Sequence, residues 1–212
     1  MAVRRYFIFF LLRVAEESFS LDPALALPVQ SILNFTLDHI AFIETQMKTV
    51  ETHIQTELHQ HPAIRQLLTI PGIGLICAAG IGAEIGDTGR FLHGKKWDKR
   101  KKRFRPRTLR DAEDAVAKFA GLWWPSNSSG TFEAEERRLA KTGNRYLRYY
   151  LILAADQMRK RIPDYAAFYS RKYHQAAKHH HKRALVLTAH KSVGLFVGLL
   201  HRNEAYRSQE AP

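Results

Sequence analysis

The feature that most constrains the fold is the stretch 29–58, which contains neither proline nor glycine. Apolar residues recur there at intervals of seven, at Leu33, Ile40, Met47 and Ile54, with Val29, Ile43 and Val50 at interleaved positions. This is the heptad spacing of a coiled-coil seam and predicts a long α-helix. Phe35, Leu37 and Phe42 widen the apolar stripe, so the helix either pairs with a second copy or folds back on its own domain. We expect a homo-oligomer formed through it.

The charge of the chain indicates a polyanionic partner. Lys and Arg number 33 against 20 Asp and Glu, which gives a formal net charge of +13. Nucleic acid is the common reason for such an excess, although a membrane surface or ribosomal RNA would attract the same charge. The hydrophobic content of 45% excludes a disordered protein.

The cysteine content and the N-terminus favour a cytoplasmic protein associated with the nucleoid. The single cysteine, Cys77, excludes an intramolecular disulfide and is typical of a reducing compartment. The apolar run 6–12 follows two arginines, as in a signal peptide, but it ends at Arg13 and lacks a small-residue cleavage site. No segment reaches the roughly 20 apolar residues needed to cross a bilayer. We expect no membrane partner.

A second unit begins near residue 63 and contains LLTIPGIGLICAAGIGAEIGD, residues 67–87. Its apolar run stops at Pro71, turns through Gly72, Ile73 and Gly74, and restarts as a helix of small residues. This is the pattern of a helix-hairpin-helix, in which free amides at a helix start point at a phosphate. The same glycines fit an ordinary tight turn between packed helices. We expect a helix-hairpin-helix-like motif over 64–87, with these three turn residues contacting nucleic acid.

Residues 95–110, KKWDKRKKRFRPRTLR, form what we name the basic segment. It contains ten Lys or Arg and one acidic residue, Asp98, so its local charge is 10 − 1 = +9. Such a run repels itself, and we expect it to be mobile until a polyanion neutralises it. Trp97 and Phe104 offer rings for stacking on unpaired bases; the alternative is a solvated loop without a dedicated partner. The nucleic-acid-binding residues expected here are Lys99, Arg100, Lys101, Lys102, Arg103 and Arg105.

The remaining sequence predicts amphipathic helices and an all-α fold. One runs through Val116 and Phe119, and others cover 144 to about 161, 165–178 and 182–201. The last is apolar almost all round and should be largely buried. No alternating strand pattern or internal repeat is evident. We predict an N-terminal segment with a coiled-coil-like helix over 1–62, a helical domain over 63–206 and a tail over 207–212.

The stretch AKFAGLWWPSNSSGTF, residues 117–132, sets three serines in a short loop that Gly130 closes. A basic helix follows, in which Arg145 and Arg148 share one face behind Lys141 and the helix start at Asn144. A serine hydroxyl and these cations would together form a pocket for phosphate oxygens. The alternative is a hydroxyl that merely caps the following turn.

Histidines cluster in KHHHKR, residues 178–183, with His174 and His190 nearby. No cysteine or carboxylate completes a metal-ligand set there. We expect nucleic-acid contact or plain solvation rather than a metal site.

Six motifs in order, IPGIG, AEIGD, RF, KFAGLWWPSNSSG, KTGNRYLR and AHKSVGLFVGLLHRNEAY, resemble the C-terminal domain of transposases of the insertion sequence 110/116/902 type. The similarity runs over 67–206, and the preceding long helix resembles the coiled-coil connector of those proteins. The resemblance implies a serine recombinase-like transposase guided by a structured bridge RNA, in which the serine of the SG motif attacks DNA. That serine is Ser129 here, and a one-residue misalignment would promote Ser126 or Ser128 instead.

The resemblance also implies an N-terminal resolvase-like domain whose acidic residues bind metal. The chain before residue 63 has no strand pattern for such a domain. We therefore expect the C-terminal portion of a transposase, from a truncated gene, an internal start or a split protein. It would carry no cofactor of its own, and Mg²⁺ would act only with the other domain.

The leading function is DNA transposition, with the chain binding DNA and a guide RNA and supplying the Ser129 nucleophile for strand cleavage and exchange. A phosphoserine linkage would conserve the energy of the broken phosphodiester, so rejoining would need no ATP. The alternatives are a remnant that binds DNA or RNA without cutting, and a helix-hairpin-helix protein that binds DNA junctions.

Overall fold

A computed structural model describes residues 13–14, 22–98, 100–125, 128–129, 132–133, 139–140 and 142–208, with the backbone alone for 128–129 and 132–133. The chain divides into two compact units, Met1–Val50 and Glu51–Pro212. Most described residues are helical, which confirms the all-α class. The elements are α1 (Pro23–Leu58), α2 (Pro62–Arg65), a 3₁₀ helix (Gln66–Thr69), α3 (Leu75–Ile85), α4 (Gly89–Leu92), β1 (Lys95–Asp98), β2 (Arg103–Pro106), α5 (Leu109–Phe119), β3 (Ser128–Ser129), β4 (Phe132–Glu133), α6 (Arg145–Arg161), α7 (Pro163–Gln175) and α8 (His180–Arg202).

The first unit is described mainly by α1. This helix begins after Asp22, whose carboxylate accepts the Ala24 amide at 2.9 Å, and it contains Pro28 near its start. Every residue over 22–50 is exposed, including the apolar residues of the heptad pattern up to Val50, whereas Ile54 is half-buried. The long helix is therefore present, while the coiled coil and the pairing with a second copy stay predictions. The apolar run 6–12 lies outside the described residues.

The second unit is a helical domain built around α8. Ala189, Val193, Phe196, Val197 and Leu200 of this helix are buried, at the spacing of a single helical face and its flank. Contrary to the sequence expectation, this helix is long and apolar enough to cross a bilayer by length and composition, but 56% of its most apolar window is buried within the fold. Its burial identifies it as a core helix, as the sequence predicted.

Three further helices, α6, α3 and α5, supply most of the remaining core. The buried residues of α6 are Leu147, Leu151, Ala154, Ala155 and Met158. Those of α3 include Ala78, Ile81 and Ile85, and those of α5 include Ala112 and Val116. These side chains form one continuous cluster, and burial of each large one contributes roughly 1.5–3 kcal/mol before the entropy cost of ordering it.

Several predicted boundaries needed correction. The long helix ends at Leu58 rather than at Pro62, and Pro62 begins α2, where its fixed φ and missing amide hydrogen suit a first helical position. The helix predicted over 165–178 is α7 and covers Pro163–Gln175. The last helix, α8, begins at His180, two residues earlier than expected. The start of α6 after Asn144 was predicted correctly.

The basic segment also departs from its prediction. We expected an unstructured, mobile run, but it forms the antiparallel hairpin β1–β2. A second, shorter ladder joins β3 and β4. The strands have only four and two residues, too short for a recognisable alternation in the sequence.

Candidate nucleic-acid interface and serine hairpin

The β1–β2 hairpin has a defined register that separates its side chains into two faces. Lys96 pairs with Arg105, and Trp97 pairs with Phe104. Because successive strand residues point to opposite faces, the two cations share one face and the two rings share the other. The hairpin thus separates an anchoring face from an exposed face.

Asp111, in the first turn of α5, anchors the cationic face. Its carboxylate accepts Lys96 Nζ at 2.6 Å and Arg105 Nη1 at 2.5 Å, and it also accepts the amide and hydroxyl of Thr108, each at 2.9 Å. These bonds, foremost those from Arg105 and then Lys96, hold the pKa of the Asp111 carboxyl well below its usual range. The pKa of Arg105 is raised in turn by its hydrogen bond to Asp111. The Asp111 side chain is 5% exposed, so the charges are balanced where the hairpin meets the domain.

The hairpin tip presents exposed cations. The Asp98 carboxylate accepts the amides of Arg100 and Lys101, at 2.9 and 3.1 Å, and these bonds, chiefly that from Lys101, lower its pKa. Lys102 has a φ of 46°, which closes the turn. The side chains of Arg100, Lys101, Lys102 and Arg103 are exposed, and Lys99 lies outside the described residues.

The opposite face carries an exposed aromatic pair. The rings of Trp97 and Phe104 lie edge to face with centroids 5.0 Å apart, and the two residues are 48% and 64% exposed. Aromatic rings that are exposed to this degree leave surface on which a nucleic-acid base can stack. The hairpin therefore combines cations for phosphates with rings for bases.

The turn predicted to contact phosphate is tight. Gly72 has a φ of +90°, and a Cβ there would lie 2.6 Å from Arg161 Cδ, so the position requires glycine. The Ile73 amide already donates to the Ile70 carbonyl at 3.0 Å, and the Ile73 side chain is buried. Gly74 is the N-cap of α3. This geometry fits the tight-turn alternative, and phosphate contact by the three residues stays a prediction.

We name the segment between α5 and α6 that contains the three serines the serine loop. Backbone hydrogen bonds hold its two ends together at the domain. The Ala140 amide donates to the Trp123 carbonyl at 2.9 Å, and the Asn144 amide donates to the Phe119 carbonyl at 2.7 Å. Gly143 has a φ of 141°, and a Cβ there would lie 2.5 Å from the Phe119 oxygen. The end of α5 and the start of α6 thus hold both ends of the loop together.

Within this loop, the backbone of Ser129 pairs with Phe132, and that of Ser128 pairs with Glu133. We name this ladder the serine hairpin. The side chains of Ser128 and Ser129, together with Ser126, Gly130 and Lys141, lie outside the described residues. The position of the Ser129 hydroxyl relative to the predicted cations is therefore still a prediction.

Of the residues predicted on α6, Asn144 has a structural role in addition to any contact with nucleic acid. Its Oδ1 accepts the Tyr146 and Leu147 amides at 2.9 and 3.0 Å, and its Nδ2 donates to Glu84 Oε2 at 2.6 Å. Both ends of its side-chain amide are thereby used within the domain.

The two predicted arginines of α6 differ in their surroundings. Arg148 Nη1 donates to the Ala120 carbonyl at 3.3 Å, which places this guanidinium at the base of the serine loop. Arg145 is exposed and lies over the Tyr146 ring, 4.8 Å from its centroid. Arg148 is therefore the predicted cation that the structure brings to the loop base.

Sequence reasoning missed Asp111 and Glu84, which position the hairpin and the start of α6. Thr108 followed three residues later by Asp111 is the spacing of a capping box, so the sequence contained a signal for the first. Glu84 and Asn144 are 60 positions apart, and no local pattern joins them.

A surface pocket of about 330 Å³ lies between α5 and α8. Its lining includes Arg110, Glu113, Asp114, His190 and Lys191. Burial lowers the pKa of His190, with Asp114 acting in the opposite direction, and the imidazole lies edge to face with Trp124 at 5.4 Å. Over the described part of the chain, no group of three or more His, Cys, Asp or Glu side chains could hold a metal ion.

Comparison with known proteins finds similarity to transposases. Residues 106–170 match the family described as Transposase IS116/IS110/IS902, a region that includes α5, the serine hairpin and α6. The chain is also similar to a Pseudomonas aeruginosa protein named "Probable family 20 transposase", at 27% identity over 143 residues. That similarity covers 66% of this chain and 36% of the relative, so the chain spans about a third of the relative's length.

Proposed function

Because this chain carries a transposase domain of the IS116/IS110/IS902 family, we propose that it acts in DNA transposition, binding DNA through the β1–β2 hairpin and supplying Ser129 as a nucleophile. The observation that carries the proposal is the hairpin anchored by Asp111, which exposes four described cations at or beside its tip and an aromatic pair on its outer face. Counterion release from phosphates would supply most of the affinity, and base stacking would add to it.

The proposed reaction is a transesterification at phosphorus. The Ser129 oxygen forms a bond to the scissile phosphorus as the bond to the departing sugar oxygen breaks, and the serine proton passes to a general base while the departing oxygen is protonated. Attack by a hydroxyl of the recipient strand reverses these steps and frees the serine. The hydrogen bonds that hold together the two ends of the loop carrying Ser129, with Arg148 beside them, support this role because they anchor that loop to α5 and α6.

The remaining parts of the proposal concern partners. We further propose that the chain binds a structured guide RNA and forms a homo-oligomer through the exposed apolar residues of α1. Its proposed location is the cytoplasm, on the nucleoid. The activity of the whole transposase would need the portion of the relative that this chain does not cover, together with Mg²⁺ held by that portion.

Covalent capture tests the nucleophile. The chain would be incubated with labelled DNA bearing a nick that lets the cleaved strand dissociate, in the presence of Mg²⁺ and the uncovered portion of the Pseudomonas aeruginosa relative. We expect a protein–DNA adduct stable to denaturant, lost in Ser129→Ala and retained in Ser126→Ala and Ser128→Ala. DNA affinity should change less than about twofold in all three, because none removes a charge. An adduct that persists in Ser129→Ala would refute the assignment.

A non-catalytic nucleic-acid-binding protein is the second candidate. The hairpin favours it, since its cations and rings do not depend on the serine loop. Hairpin-dependent DNA binding without an adduct in the unmodified chain would support this candidate, and selective binding to junctions would support the junction-binding alternative.

A further inference from the structure

A second basic surface lies on α7 and the start of α8. Residues 168–183 contain five Lys or Arg, four His, three aromatic residues and no carboxylate. Every residue over 168–183 is exposed or half-buried, so solvent and a partner can reach this stretch along its whole length. We name these residues together with Lys191 the α7–α8 surface.

Tyrosine and histidine rings hold this surface together. Tyr169 Oη lies 2.7 Å from His181 Nδ1, and the Tyr173 carbonyl lies 2.9 Å from His180 Nδ1. The centroids of Tyr173 and His180 are 5.2 Å apart, and those of Tyr169 and Tyr173 are 6.0 Å apart. These contacts fix the first turn of α8 against α7, so the rings and cations occupy set positions.

Cations surround the aromatic rings. Lys191 Nζ, Arg171 Cζ and Lys172 Nζ lie 4.7, 5.3 and 5.8 Å from the centroid of Phe168. Tyr173, in the middle of the surface, is 39% exposed. Alternating cations and accessible rings are the arrangement by which proteins bind unpaired strands, with phosphates on the charges and bases on the rings.

The surface continues toward the hairpin. Lys191 also lines the pocket between α5 and α8, on whose other side stands Arg110. Arg110 precedes Asp111, the residue that anchors the hairpin. Glu113 and Asp114 line the same pocket, so its lining carries both signs of charge. A strand held at the hairpin would meet further cations in this direction.

We propose that the α7–α8 surface binds an unpaired DNA strand, as a contact separate from the hairpin. The inference rests on the proposed function, because strand cleavage and exchange require the DNA strands to separate. An unpaired strand fits better than a duplex, since duplex DNA keeps its bases stacked away from these rings.

The experiment measures binding of fluorescein-labelled single-stranded DNA of mixed sequence by anisotropy over a range of salt. The test variant is Lys178→Gln with Lys182→Gln, both exposed residues of the surface. We expect the slope of log affinity against log salt to fall by about 1.4, at about 0.7 for each lost phosphate contact. Tyr173→Leu should lower affinity about tenfold without changing the slope, and Tyr173→Phe should bind as the unmodified chain does.

The matched control is Arg65→Gln with Arg207→Gln, which removes the same charge elsewhere. Both residues are exposed and flank the contact in which the Tyr206 amide donates to Thr69 Oγ1 at 2.7 Å. The substituted lysines of the test variant lie instead at or just before the start of α8, the opposite end of that helix. This control should leave the slope within error.

The outcomes separate this inference from the proposed function. Surface variants that match the control pair, or that lose as much affinity for duplex DNA or RNA as for single-stranded DNA, would overturn the inference alone. If DNA binding still depended on the hairpin, the proposed function would stand. An unmodified chain that bound no DNA would overturn both the inference and the proposed function. Photocrosslinking with 5-iodouracil DNA gives an independent check, with an adduct at Tyr169 or Tyr173 expected.

Discussion

The guanidinium of Arg105 donates to both oxygens of the Asp111 carboxylate, at 2.5 Å from Nη1 and 3.2 Å from Nη2. A bidentate bond of this kind fixes orientation as well as distance. It ties strand β2 to helix α5 and thereby turns a self-repelling run of cations into a hairpin with one face free for a partner.

Asp111→Asn should destabilise the domain and loosen the hairpin. Because the folded pKa of Asp111 is lowered, its contribution is fully present above the unfolded pKa of about 4 and is lost as the pH falls toward the folded value. The variant should therefore lose about 1–3 kcal/mol of unfolding free energy at neutral pH and show a weaker acid dependence below about pH 4. Urea unfolding at several pH values measures both. Asp114→Asn, an exposed carboxylate on the same helix, is the control, and an equal effect there would contradict the prediction.

Arg100→Gln with Lys101→Gln should flatten the salt dependence of binding to duplex DNA. Two lost phosphate contacts reduce the slope by about 1.8, at about 0.9 each. Asp98 holds the amides of both residues rather than their side chains, so the turn is retained. Anisotropy titrations at several salt concentrations give the slope, with Arg65→Gln and Arg207→Gln as the charge-matched control. An unchanged slope in the tip variant would remove the hairpin from the interface.

Gly72→Ala should destabilise the domain much more than Gly74→Ala, although both residues lie in one turn. Gly72 has a positive φ, and a Cβ added there would lie 2.6 Å from Arg161 Cδ, whereas a Cβ at Gly74, with a φ of −90°, would meet nothing within 4 Å. We expect Gly72→Ala to cost about 1–3 kcal/mol of unfolding free energy and Gly74→Ala to be close to neutral. Thermal unfolding of the two variants decides the matter. Equal midpoints would mean that the turn relaxes at no cost.

Cys77 should react slowly with alkylating reagents in the folded protein. Burial raises the pKa of its thiol to about 11, and its Sγ lies 3.5 Å from the Tyr150 carbonyl. At pH 8 the thiolate fraction is then lower by about a hundredfold than for a free cysteine. Iodoacetamide labelling followed by mass spectrometry should show this lag, a rate that rises with pH, and rapid labelling in urea. Fast labelling of the folded chain at pH 8 would contradict the assigned burial.

Sequence patterns sufficed where the deciding interactions are local. The heptad spacing predicted the long helix, and the apolar character of 182–201 predicted its burial, because helix periodicity and hydrophobic content are read directly from neighbouring residues. Asn144 was recognised as a helix start since an N-cap acts within its own turn. The ordered motifs likewise pointed to the family that residues 106–170 match.

The candidate site depended on contacts between distant residues. The charges of the basic segment alone predicted mobility, and the hairpin forms where Asp111, 15 positions beyond Lys96, neutralises one of its faces. The same holds for Glu84 and Asn144, and for the backbone bonds that close the serine loop.

By itself, then, the sequence determined the helical class and the cationic character of this protein and pointed to the transposase family that residues 106–170 match, because those follow from composition, periodicity and the order of motifs along the chain. Only the tertiary structure decided which cations are anchored and which are exposed, because that depends on the carboxylates that folding brings beside them.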